Sequence, residues 1–127
     1  MSLKKGRTRT ILEGSINSAL LAVEVFNKPR TAFKVENYIS LMIIAWTRLF
    51  HAHFNQTIGD KYYHKKGRRY LKVDGERRAW ELSECIKKYG LLSTAEGANL
   101  RLFVSLRNKV EHRHVDMDIL SAMIFGE

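Results

Sequence analysis

A mostly helical bundle of four to five helices carrying a short inserted β-hairpin is predicted by three observations. Apolar residues recur at helical spacing over most of the chain, a lone proline stands between the first two such stretches, and one central segment departs into aromatic and glycine-rich alternation. The chain has 127 residues and 45% hydrophobic residues, enough for one packed core, so residues 1–127 are read as a single domain.

The first helix spans residues 11 to 26, with Leu12, Ile16, Ala19, Leu20 and Val23 as its apolar face. It should stop at Asn27-Lys28-Pro29, because proline removes a donor and disfavours a helical residue before it. A second helix from Phe33 to Phe54 carries Val35, Ile39, Met42, Trp46, Leu49 and Phe50 on one face, and residues 55 to 59 read as a break. From Lys61 to Gly75, tyrosines and β-branched residues around Lys66-Gly67 and Asp74-Gly75 predict a basic β-hairpin. A third helix follows from Trp80 to Tyr89, with Gly90 suited to a left-handed cap. Ser93-Thr94-Ala95-Glu96 has capping-box spacing and should open a fourth helix reaching His112, with Asn99, Phe103, Leu106 and Val110 inward. Asp116 to Phe125 reads as a fifth helix. The helical pattern is still running at Glu127, so the expectation is the N-terminal part of a longer protein.

The formal net charge of +9 favours anionic partners, nucleic acid first. Cys85 is the only cysteine, which excludes an intramolecular disulfide and points to a cytoplasmic setting. No apolar run is long enough for a signal peptide or a membrane span. Glu111, His112, His114, Asp116, Asp118, His51 and His53 offer metal-type donors, but their spacing puts no set on one helix side, so neither metal nor cofactor is expected. Cys85, with no histidine nearby in sequence, reads as a structural thiol.

An arginine followed five residues later by histidine occurs twice, at Arg48/His53 and at Arg107/His112. Turning the helix by about 100° per residue puts His53 with Met42, Trp46 and Leu49, as a core or interface histidine. The same rotation puts His112 away from the fourth helix's inward stripe, with Asn108 one turn before it and Arg107 able to reach round. Such a group suits cleavage of RNA by its own 2′-hydroxyl. Histidine titrates near neutrality and exchanges the proton, while arginine holds the phosphate and its developing charge. The plain alternative is an Arg107/Glu111 pair at helical spacing beside an idle surface histidine. Leu100 and Val104 lie beside this polar strip without an obvious partner in the monomer, and are read as a homodimer interface.

The hairpin interleaves Lys65, Lys66, Arg68 and Arg69 with Tyr63 and Tyr70. Cations that track a phosphate backbone and rings that stack on unpaired bases suit single-stranded RNA, and Lys109 and Arg113 extend the basic surface beside the motif. A solvated hairpin whose tyrosines pack on the bundle is the alternative.

The stretch Leu106-Arg107-Asn108-Lys109-Val110-Glu111-His112 resembles the signature of the HEPN superfamily, in which arginine and a polar residue precede histidine late in a helical bundle. Ala19 through Phe26, Asn27-Lys28-Pro29, Ala45-Trp46 and Trp80 through Ile86 resemble a bacterial domain-of-unknown-function family, number 3644, placed in that superfamily. The resemblance implies a HEPN-like bundle and a metal-independent endoribonuclease, acting as a homodimer in phage defence or as a toxin. It implies Arg107, Asn108 and His112 as catalytic residues. Some members of the superfamily bind RNA or nucleotides without turnover, so a noncatalytic RNA-binding or interaction module of a defence protein is the alternative function.

Overall fold

The computed structural model describes residues 6–29 and 33–125, and side chains as far as residue 110. Its elements run α1 (Arg7–Asn27), α2 (Lys34–Ile58), β1 (Lys65–Lys66), β2 (Arg69–Tyr70), β3 (Lys72–Val73), β4 (Glu76–Arg77), α3 (Leu82–Tyr89) and α4 (Ala95–Phe125). The architecture is the predicted one, a helical bundle with a small antiparallel β insertion between α2 and α3. No helix among the described residues is long and apolar enough to cross a membrane.

α1 and α2 form an antiparallel pair whose contact face differs from expectation. Thr8, Ser15, Ser18 and Ala22 are buried, while Ile16, Leu20 and Val23 lie on the surface, Leu20 at 63% exposure. Small side chains on both helices, including Ala45 and Ala52 of α2, let the backbones approach closely. The Ser15 hydroxyl donates to the Ala45 carbonyl at 2.6 Å, and Thr8 donates to the Asn55 side-chain oxygen. Satisfied hydroxyls cost little to bury, so close packing outweighs the transfer preference of the larger apolar residues. α1 ends at Asn27, and Lys28 turns extended ahead of Pro29, as the proline requires. α2 runs one turn past its expected end at Phe54, through most of the expected break, and stops at Gly59, whose φ of 69° no β-carbon residue adopts readily.

The core lies where the C-terminal half of α2 meets α3, the β insertion and α4. Ile39, Ile43, Phe50, Phe54, Tyr62, Leu82, Cys85, Ile86 and Leu100 form its buried cluster. α3 ends at Gly90 with φ 89°, where the Gly90 and Leu91 amides donate back to the Lys87 and Ile86 carbonyls.

α4 departs from the sequence expectation in three ways. Its N-cap is Thr94 rather than Ser93: the Gly97 amide donates to the Thr94 hydroxyl, which itself donates to the Leu91 carbonyl. The helix continues unbroken to Phe125, so the separate fifth helix merges into α4. Its inward stripe is Leu100, Phe103, Val104 and Arg107, while Asn99 is exposed and Leu106 is 38% exposed. Gly97 decides this rotation, because a β-carbon there would sit 1.9 Å from the Leu91 carbonyl oxygen. Only glycine lets this side of α4 press against the preceding turn, which brings the 100/104/107 side onto α2 and α3.

The β insertion is two hairpins rather than one. β1 pairs with β2 and β3 with β4, on a stem in which Tyr63 bridges Ala79 and the Trp80 amide donates to the Tyr62 carbonyl. Stem and hairpins meet at a three-way junction of backbone hydrogen bonds. Leu71 donates to the His64 carbonyl, Arg78 to that of Leu71, and His64 to that of Arg78, at 2.9, 3.1 and 2.9 Å. The three residues are seven apart, and each hairpin fills one interval. Asp74 and Gly75 both take positive φ, as an Asp-Gly type I′ turn needs.

Candidate cleft and nucleic-acid interface

Because Arg107 falls on the inward stripe of α4, it enters a cleft of about 330 Å³ between α2, the start of α3 and α4. The polar groups on its wall are Thr47, Arg48 and His51 from α2, Glu81 and Ser83 at the α3 start, and Arg107. Ile44, Thr47, Arg48 and His51 share one stripe of α2, at positions i, i+3, i+4 and i+7.

Each polar group is positioned by a neighbouring element. Arg48 Nη1 donates to the Ser18 hydroxyl at 2.9 Å and to the Gly14 carbonyl at 3.3 Å, so α1 holds it. His51 Nε2 lies 2.7 Å from the Trp80 carbonyl oxygen, and its ring stacks on Tyr62 at 4.9 Å. Burial lowers the His51 pKa below the ordinary histidine value, and its hydrogen bond to Trp80 opposes this only in part. The Glu81 carboxylate accepts a 2.7 Å hydrogen bond from His64 Nε2, tying the cleft to the three-way junction. Burial pushes the Glu81 carboxyl up, but the His64 hydrogen bond, its own backbone amide and the charges of His64 and Arg78 outweigh it and hold the group below the usual range. The Cys85 thiol also donates to the Trp80 carbonyl, at 3.5 Å, and burial reinforced by Glu81 and Glu84 pushes it up to about 12.

Asn108 and Lys109 are exposed on α4. His112 and Arg113 belong to the helical backbone of α4, and their side chains lie outside the described residues, as do those of Glu111, His114, Asp116 and Asp118. Of the two residues read as a dimer interface, Leu100 is 7% exposed within the core, so it has partners in the monomer, while Val104 is half-buried against that core and lines the cleft. His53 shares its face with Trp46 and Leu49 as expected, and of the two readings, core or interface, the structure removes the core one. It is exposed on an apolar groove, its ring 4.9 Å from Tyr89 and 5.5 Å from Phe54.

On the β insertion Lys65, Lys66, Arg68 and Arg69 are all exposed. Tyr63 and Tyr70 are half-buried and already engaged: their rings meet edge to face at 6.1 Å, Arg77 lies over both, and Lys65 lies over Tyr70 at 5.2 Å. The tyrosines thus organise cations rather than stand open as stacking platforms. Arg7 of α1 donates to the Tyr62 and Tyr63 hydroxyls, fastening the stem to the bundle. Among the described residues no three histidine, cysteine or acidic side chains converge as metal ligands.

Sequence reasoning passed over Arg48, His51, Glu81 and Ser83 as site residues, and Arg7 and Arg77 as part of the basic module. The signal for the first two was the 44/47/48/51 stripe of α2, which the five-residue spacing of Arg48 and His53 does not contain. No curated protein and no solved structure matches the chain. The model of the domain of unknown function DUF3644 matches residues 10–127, nearly the whole length, and the chain belongs to that family.

Proposed function

We propose that this domain binds RNA and cleaves it without a metal ion, through attack of a 2′-hydroxyl on the neighbouring phosphate, as a HEPN-type endoribonuclease. The observation that carries the reading is the position of Arg107, the first residue of the motif. It forms part of a cleft wall with a second arginine and a histidine, instead of projecting from a solvated helix face. A guanidinium at a half-enclosed, cation-rich site suits a phosphate whose negative charge grows in the transition state. Asn108 and His112 complete the motif, His112 as a proton-transfer group, and the exposed cations of the hairpins with Lys109 and Arg113 bind the flanking strand. By the same resemblance, the biological setting is phage defence or toxicity.

The test is incubation of the purified domain with single-stranded RNA in EDTA. Cleavage leaving 2′,3′-cyclic phosphate and 5′-hydroxyl ends is expected, lost in His112→Ala and reduced together with affinity in Arg107→Ala. Tight, salt-sensitive binding without cleavage would replace this reading with the noncatalytic RNA-binding module.

A further inference from the structure

The apolar stripe that helical spacing assigns to α1 is present, but the bundle leaves it uncovered. Turning the helix by about 100° per residue puts Leu12, Ile16, Leu20 and Val23 on one side, and the last three are 50%, 63% and 50% exposed. The neighbouring stripe of α2 holds Trp46, Leu49 and His53, with Trp46 36% and Leu49 41% exposed. The two stripes border a groove of about 620 Å³ that Tyr89 and Leu91 close on the far side. This face lies across α2 from the cleft. The groove takes Trp46, Leu49 and His53, the cleft takes Thr47, Arg48 and His51, and no residue lines both.

Charge sets the face apart as well. Glu96 is the one charged side chain among the described residues of the groove wall. α1 carries two arginines and two glutamates, and α2 a lysine, an arginine and a glutamate, so the pair holds +1 of the chain's +9. A patch poor in charge and rich in large apolar side chains has the make-up of an interface core. A basic chain can meet a copy of itself here without pressing its cations together, whereas a nucleic-acid strand finds no cation on the groove wall to hold its phosphates.

The shape fits a second copy. The groove lies at the N-terminal end of α1, beside Thr8 and Leu12, while the uncovered ridge of Ile16, Leu20 and Val23 occupies the C-terminal half. A hollow and a ridge at opposite ends of one helix become complementary under a two-fold axis. An axis at Ile16 runs the two α1 helices antiparallel and sets Leu20 of each copy over Leu12 of the other. It also brings the exposed Arg9, which meets Glu13 at only 4.0 Å, beside the exposed Glu24 of the other copy. Two adjacent helices, each about 30 Å long and about 10 Å wide, present on the order of 600 Å², close to the roughly 800 Å² that each partner gives a standard interface. Tyr89 and Leu92, 48% and 46% exposed, add to it.

We infer that this face of α1 and α2 is the contact between two copies of the chain, ridge in groove about a two-fold axis at Ile16. It holds whether or not the cleft cleaves RNA, and it leaves both clefts uncovered on the outside of the dimer.

Light scattering and sedimentation equilibrium of the parent should give a dimer. Leu20→Lys should raise its dissociation constant by about tenfold or more, since each dimer gains two ammonium groups against apolar surface. Helical content and melting temperature should stay close to the parent's, because the side chain is mostly exposed. Ile16→Cys places a thiol on the axis, and mild oxidation should join it to its symmetry mate as a disulfide-linked dimer. Asn17→Cys, exposed and turned about 100° away, should not join, and Cys85, at 0% exposure, stays out of the reaction. A monomeric parent overturns the inference, and phospholipid vesicles that bind this monomer would give the face to a membrane instead. A dimer that Leu20→Lys leaves at parental strength, or that Asn17→Cys links as readily as Ile16→Cys, overturns it equally.

Discussion

Replacing Gly97 by alanine places a methyl group 1.9 Å from the Leu91 carbonyl oxygen and 2.8 Å from its carbon, against the 3.4 Å at which ordinary contact begins. The obstacle is backbone, so no rotamer change relieves it, and either the turn or the first coil of α4 must move by ~1.5 Å. Overpacking of this kind costs about 1–3 kcal/mol. A clash this deep against backbone sits at the upper end of that range, about 2–3 kcal/mol, and alanine recovers about 1 kcal/mol of helix propensity, leaving a net loss of about 1–2 kcal/mol. With an unfolding entropy of about 2.1 cal/mol/K per residue, a chain of this length loses roughly 4 °C for each kcal/mol. The expected drop in melting temperature is therefore about 4–8 °C by circular dichroism, with a matching fall in the urea midpoint. Ala98→Gly, one residue on at an exposed position, separates the terms, because it should cost only the propensity of about 1 kcal/mol. A Gly97→Ala protein as stable as the parent would refute the close approach and the rotation of α4 that depends on it.

Three further outcomes are expected. Replacing Lys65, Lys66, Arg68 and Arg69 by glutamine should weaken RNA binding and flatten its logarithmic salt dependence by about 0.7 per lost phosphate contact, measured by fluorescence anisotropy; an unchanged slope would move the RNA path off the hairpins. Leu100→Ala should cost about 2–5 kcal/mol in urea unfolding through the cavity it leaves in the core, and a loss below about 1 kcal/mol would contradict its burial. The native Cys85 thiol, raised to about 12, holds a proton that the unfolded thiol loses from about pH 8.5 upward, so this contribution is intact below that pH and is lost as pH rises toward 12. At pH 9 an aromatic disulfide reagent should therefore label the folded protein far more slowly than the urea-unfolded chain, and equal rates would show an accessible thiol.

How much of this was legible in the sequence divides along physical lines. Pro29, Gly90 and Asp74-Gly75 act through local backbone preference, and each marked its corner or turn correctly. The faces of α1 and α4 were set by close approach, through serine, alanine and Gly97, and hydropathy cannot report a preference for small volume. The larger apolar residues of α1 therefore drew the inward assignment that Thr8, Ser15, Ser18 and Ala22 hold. The same error in α4 put Arg107 off the inward stripe and freed Leu100 for an interface. His51 was hidden for another reason: its meaning depends on the carbonyl of Trp80, far along the chain, and no spacing rule within α2 contains that partner.

The three-way junction of His64, Leu71 and Arg78 is closed by main-chain groups alone, which makes each hairpin a plug-in part. The exposed side chains of Lys66, Arg68, Arg69, Lys72 and Glu76 can be exchanged, and the loops lengthened at Gly67 or Gly75, without rewriting the joint, while Tyr70 and Arg77 stay to pack on Tyr63 of the stem. Grafting a different finger into either interval should then leave the cleft, reached separately through Glu81, in its place.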